Sequence, residues 1–138
     1  MSFQGYISSR PFGGTRVPQH IQNAIIRDYC RQYGLQFRLS ATELAMPGAY
    51  QMFEQLRQEL KKLSGVVFYS IDQLPESVAR RREFFDTALS ESAKIHFAVE
   101  RFSIFDAASA QRVEDILHLK AILPFCLSTH ELCRAIGE

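Results

Sequence analysis

Apolar positions along this chain switch between a period near two and a period near 3.6, and the switches mark strands and helices in alternation. Gly5-Tyr6-Ile7-Ser8 predicts a short first strand, and Ser9 to Thr15, with Pro11, Gly13 and Gly14, a loop. Val17, Ile21, Ala24, Ile25 and Tyr29 then fall at helical spacing around Pro18, with Gly34 just past the end. Leu35, Phe37 and Leu39 alternate with Gln36 and Arg38, the pattern of a half-buried edge strand. Residues 40–48 read as a loop, followed by a helix that gathers Ala49, Phe53, Leu56, Leu60 and Leu63 on one face. The unbroken apolar run Val66-Val67-Phe68-Tyr69 predicts a strand covered on both faces. A turn over Asp72 to Glu76 leads to a helix over Glu76 to Leu89, with Val78, Phe84, Phe85 and Leu89 inward. Ile95 to Val99 makes a fourth strand, and the rest reads as a long helix from Asp106 to about Leu123, a break at Pro124 and a short terminal helix.

Alternation with short connections implies a parallel sheet with right-handed crossovers. The expected fold is therefore α/β: a three-layer sandwich around a mainly parallel four-stranded sheet, with one domain over residues 1–138. Its core spans about 3–104, with C-terminal helices over about 106–136. Ligands of such sheets bind beyond the carboxyl ends of the strands. That rule selects Ser8 to Arg16, Ser40 to Pro47, Ser70 to Glu76 and Glu100 to Phe105. In the long helix Val113, Ile116, Leu117, Leu119, Ile122 and Leu123 cover more than one stripe, wider than packing on one domain needs, which suggests a homo-oligomer through this helix.

Composition narrows the class. At 138 residues, 46% hydrophobic and 22% charged, the chain has the balance of an ordinary globular domain. A formal net charge of +1 lacks the basic excess usual for a duplex-DNA partner, so DNA is not expected. Three cysteines, Cys30, Cys126 and Cys133, read as free thiols in a reducing, cytoplasmic setting. There is no basic-then-apolar leader at Met1 and no membrane-length apolar run, so no membrane insertion is expected. Cys126, His130 and Cys133 fall short of the four ligands zinc wants, so no metal is expected. With neither a Walker loop nor a dinucleotide fingerprint, no cofactor is expected.

The selected loops carry the candidate chemistry. Arg10 and Arg16 offer guanidiniums to an anion beside glycine-rich backbone and a helix start, with Ser8 and Ser9 supplying hydroxyls. Gln19 and His20 open that helix, and His20 is a candidate acid/base; a partly exposed polar role is its ordinary alternative. Glu43 is a candidate general base, against a capping box with Ser40. Tyr50 opens the next helix. Ser70 and Asp72 follow the third strand and Glu100 the fourth. Arg80-Arg81-Arg82 reads as a solvated face, and His96 as a satisfied core histidine.

Two resemblances follow. Gly5-Tyr6, the helix with Gln22, the helix Tyr50 to Leu63 and Gly65-Val66-Val67-Phe68-Tyr69-Ser70-Ile71-Asp72-Gln73-Leu74 resemble the serine recombinase (resolvase) catalytic domain over roughly Gly5 to Ile104. That family has an arginine and then the nucleophilic serine after its glycine–tyrosine strand. Ungapped, those positions hold Ser8 and Arg10 here. Gln73 and Glu76 stand where two later arginines belong, and Asp72 alone is kept. A shifted alignment restores Ser9 as nucleophile but not the arginines. Gly5 to Gly14, Arg16-Val17-Pro18-Gln19-His20, Ile26 to Cys30, Leu39 to Glu43 with Met46-Pro47-Gly48, and Phe97 to Glu100 are similar to the sporadic carbohydrate cluster protein family. This implies a role in bacterial surface-polysaccharide clusters.

The resulting expectation is a small enzyme on an anionic or activated sugar precursor, with an anionic sugar or nucleotide-sugar as ligand. Arg10 and Arg16 would hold the anion and Glu43 or His20 move a proton. A non-catalytic sugar-nucleotide-binding or assembly subunit is the alternative, and a DNA serine recombinase the third reading.

Overall fold

The computed structural model describes residues 2–9, 16–43 and 50–126. In chain order the elements are β1 (Phe3–Ser8), α1 (Gln19–Gln32), β2 (Phe37–Glu43), α2 (Gln51–Glu59), β3 (Gly65–Phe68), α3 (Val78–Ser90), β4 (Lys94–Phe97), β5 (Phe102–Ile104) and α4 (Ala107–Cys126). Single 3₁₀ turns follow α2 at Leu60–Lys62 and β3 at Ile71–Gln73. The sheet order is β2-β1-β3-β4-β5, parallel except for β5, which returns antiparallel on β4. The α/β expectation holds, with a fifth strand in place of four.

Side chains alternate across the sheet, and each face meets its own helices. Tyr6, Val66, Phe68, Ile95, Phe97 and Ile104 pack with Phe53 and Leu56 of α2, Phe84 and Phe85 of α3, and Val113 of α4. On the other face Phe3, Ile7 and Val67 pack with Ile26, Tyr29 and Cys30 of α1. Helices cover opposite faces because the strand order reverses at β1: the crossover to β2 runs one way and the crossover to β3 the other. The carboxyl ends of β1 and β3 therefore border the switch-point crevice of this open sheet.

Several local expectations are corrected. Residues Ser40 to Glu43 continue β2 along β1, with Ser8 opposite Glu43, so no capping box forms there. Val78 is 53% exposed, since it is the first helical residue after the Ser77 cap. Helix α4 continues to Cys126, past Pro124. It begins where Asp106 predicted, because Asp106 Oδ1 accepts from Ser109 N–H at 2.8 Å. Val113 of this helix is buried and Leu117 half-buried, whereas Ile116, Leu119 and Ile122 face outward. The expected terminal helix after Cys126, with His130 and Cys133, lies outside the described residues. Among the described residues no helix is long and apolar enough to cross a membrane, and no group of three His, Cys, Asp or Glu could hold a metal ion.

His96 ties β4 to α1. Its Nδ1 lies 2.8 Å from the Tyr29 hydroxyl, and its ring meets Phe3 edge-on, but its buried Nε2 has no partner among the described residues. Burial first, and then the Lys94 charge, lowers its pKa from 6.5 to about 4. The folded chain thus resists protonation of a group that the unfolded chain protonates freely. Its contribution to stability is present above pH 6.5 and is lost as pH falls from 6.5 through about 4. The full window is worth roughly 3 kcal/mol. Urea midpoints of the wild type should fall more steeply over this window than those of His96→Leu; parallel profiles would remove His96 as the cause.

Candidate functional site at the switch point

Three buried polar side chains bridge the crevice between β1 and β3. The Gln22 amide pairs with the Ser8 backbone at both ends: Ser8 N–H donates to its Oε1 at 3.0 Å and its Nε2 donates to Ser8 O at 2.8 Å. Gln73 Nε2 donates to Gln22 Oε1 at 3.0 Å and to Ser8 Oγ at 3.3 Å. Gln73 Oε1 in turn accepts from Tyr69 N–H at 2.8 Å, closing the turn after β3. Ser8, Gln22 and Gln73 are each at most 2% exposed. Burying so many polar atoms is tolerable because they satisfy one another. The sequence signal for these residues was thin. Gln22 and Gln73 carry no charge or motif of their own, and only their places in the resolvase resemblance singled them out.

Glu43 stands at the end of β2, fully buried. Its Oε2 accepts from Tyr6 O–H at 2.9 Å and from Phe53 N–H at 3.1 Å, and its Oε1 from Met52 N–H at 3.3 Å. Tyr50, at the N-cap of α2, provides no side-chain cap, so a carboxyl group from a neighbouring strand fills that place. Glu43 is thus engaged in holding β1, β2 and α2 together, and its side chain has no exposed surface.

Among the described residues, Ser9 and Arg16 are the more exposed part of the crevice. Ser9 directly follows β1 and is half-buried; its Oγ donates to Glu43 O at 2.8 Å. Arg16 is exposed and its Nη2 donates to Ser9 O at 3.3 Å. Gln19 and His20 sit exposed on the first turn of α1. Tyr50 is half-buried with the Arg80 guanidinium 5.4 Å from its ring centre. Ser70 Oγ donates to Glu100 Oε2 at 2.7 Å, and Ile71 N–H donates to Glu100 Oε1 at 3.2 Å, joining the ends of β3 and β4. Asp72 turns away toward α4 and binds Lys120. Arg10 lies outside the described residues.

The structure therefore brings Ser8, Ser9, Arg16 and the backbone of Glu43 to one place, and Ser70 with Glu100 to another, linked through Gln73. The expectation of a solvated Arg80–Arg82 cluster fails at Arg81, which is 7% exposed. Arg81 forms a bidentate pair with Glu114, Nε to Oε1 at 3.0 Å and Nη2 to Oε2 at 2.7 Å.

The same arrangement of strands and helices occurs in solved structures of two proteins. The N-terminal catalytic domain of TP901-1 integrase is 17% identical with a TM-score of 0.58, covering 98% of this chain and 99% of that one. A resolvase family site-specific recombinase from Streptococcus pneumoniae is 9% identical with a TM-score of 0.62, covering 99% of each chain. The chain has a resolvase-like α/β fold. No family model and no curated protein matches the chain.

These neighbours correct the functional expectation. The surface-polysaccharide role and the anionic sugar or nucleotide-sugar ligand find no counterpart, and the structures that match end to end are recombination domains. The exclusion of DNA falls with them. It rested on a net charge of +1 and on the missing family arginines; the charge of a whole chain says little about how charge is placed on one face, and the missing arginines bear on strand cleavage rather than on DNA binding.

Proposed function

We propose that this chain is a DNA-directed domain of the serine-recombinase type, with Ser9 as the hydroxyl presented to a phosphodiester. The observation that carries the reading is the position of Ser9 Oγ at the switch point, beside an exposed Arg16, in a fold shared with two recombination domains. Ser8 is too buried to reach a strand, whereas Ser9 is half-exposed. Arg16 supplies a guanidinium for the phosphate oxygens. In the reaction Ser9 Oγ attacks phosphorus and loses its proton. The bond to one sugar oxygen breaks, and that oxygen leaves with a proton as a hydroxyl. Attack by a strand hydroxyl on the serine–phosphate ester reverses the step and releases Ser9.

A second reading, binding to the DNA backbone without cleavage, is favoured by the chemistry of the buried centre. Ser8, Gln22 and Gln73 are neutral, and a pentacoordinate phosphate needs concentrated positive charge.

One experiment tests both. Incubated with a duplex nicked so that cleavage cannot be reversed, the protein should give a denaturant-resistant protein–DNA adduct that Ser9→Ala abolishes and Ser8→Ala retains. Arg16→Ala should weaken duplex binding and reduce its log–log salt slope by about 1. Salt-dependent binding without adduct selects the second reading. Absence of both removes DNA from the function altogether.

A further inference from the structure

Helix α4 is fastened to the carboxyl edge of the sheet at two levels that differ in kind. At Glu114 the pair with Arg81 is mostly buried, its side chains 9% and 19% exposed, and Arg81 Nη1 also donates to Pro75 O at 2.7 Å and Glu76 O at 3.0 Å. Further along, Lys120 Nζ lies 3.0 and 3.3 Å from the two oxygens of Asp72. There the side chains are 46% and 27% exposed, and every residue from His118 to Ile122 is exposed. Below this stretch runs an open groove of about 660 Å³, bordered by Asp72, Glu76, Arg82 and His118.

Asp72 itself is held in place. Its N–H donates to Ser70 Oγ at 3.2 Å, and its neighbours Ile71 and Gln73 are bound to Glu100 and Ser8. The backbone that carries Asp72 is thus anchored to the turn after β3, whereas Lys120 sits on a flexible stem on the uncovered half of a helix. An exposed ion pair in water is weak, and the phosphates of a duplex compete well for one lysine.

We propose that the Lys120–Asp72 pair is a latch: in the free protein Asp72 holds a lysine that passes to a backbone phosphate when DNA meets the carboxyl edge of the sheet. The inference rests on the DNA-directed reading above. Lys120 is then a specificity-neutral phosphate ligand, and Asp72 sets the affinity by competing for it.

The test compares wild type, Asp72→Asn, Lys120→Met and the double variant in fluorescence anisotropy with a labelled mixed-sequence duplex over a chloride series. Circular dichroism confirms that each is folded. Asp72→Asn should tighten binding about two- to fivefold. Lys120→Met should weaken it and lower the salt slope by about 1. In the double variant the gain from Asp72→Asn should vanish. An equal gain with and without Lys120 would mean simple repulsion by Asp72 and overturn the latch, as would a Lys120→Met protein that binds like wild type. Inorganic phosphate that displaces the duplex beyond the effect of chloride at equal ionic strength would assign the lysine to free phosphate and overturn the DNA assignment. If none of the four proteins binds, the DNA-directed reading and the latch fall together; wild-type binding with an inert Asp72→Asn sinks the latch alone.

Discussion

Replacing Glu43 with alanine is expected to remove about 3–5 kcal/mol of stability, a large share of what a domain of this size has. The loss has separable parts. The Tyr6 hydroxyl, buried between β1 and α2, loses its hydrogen bond to the Glu43 carboxyl group, worth about 1–3 kcal/mol. The first turn of α2 loses the acceptor for Met52 and Phe53 N–H, worth about 1 kcal/mol as a cap. A void the size of the side chain accounts for the remainder. Glu43→Gln should cost less, about 1–2 kcal/mol. Its amide oxygen still accepts from Tyr6 and Phe53, but its NH₂ group then faces the Met52 N–H. Urea titrations of the two variants check the ordering, and an Ala variant as stable as the Gln variant would show that the carboxyl group is not a structural joint. The same ordering separates joint from acid/base: an acid/base lost by Glu43→Gln would leave the fold untouched.

Most of the fold was legible because hydrophobic period and strand-end punctuation act locally. Val66 to Phe68 reads as a covered strand from its own residues, and Ile26 and Tyr29 mark the inner face of α1 in the same way. What escaped was set at a distance. The strand β5 is three residues long and gains its identity only by pairing back on β4, so no period reveals it. Residues Ser40 to Glu43 look like loop because they mix small and polar types; they are strand because β1 lies alongside and Glu43 has a distant helix end to fill.

The site divides the same way. Topology placed Ser8, Ser9, Arg16, Ser70 and Glu100 at strand ends, where the structure has them. What the sequence could not convey is which of them are already engaged. Ser8 and Glu43 look as reactive on paper as Ser9, yet both are buried and hydrogen-bonded to neighbouring elements. Arg81 sits in a run of three arginines, and only the arrival of α4, with Glu114, turns one of them inward.

Gly65→Ala is the second substitution with a large expected effect, on the order of 4 kcal/mol or more. Gly65 opens β3 directly opposite Lys94 of β4. A methyl group there would overlap the Lys94 carbonyl oxygen, approach its carbon to 2.8 Å, and meet the Phe3 ring at 2.7 Å. Two of those three atoms are backbone of the paired strand, so relief requires β3 and β4 to part rather than a side chain to swing. Gly5→Ala meets chiefly the Ser40 hydroxyl, which can rotate away by giving up its 2.6 Å bond to Asn23, and should cost about 1–2 kcal/mol. Gly34→Ala meets open space and is penalised only by a φ of +66°, about 1 kcal/mol. Thermal and urea unfolding of the three variants should therefore rank Gly65 far ahead of Gly5 and Gly34; comparable midpoints would contradict the tight β3–β4 approach. The consequence reaches the site. Parting β3 from its neighbour moves the turn at Ile71–Gln73, and Gln73 is the link by which that turn reaches Ser8. A Gly65→Ala chain that still folds at low temperature should accordingly lose any Ser9-dependent DNA adduct before it loses its helices.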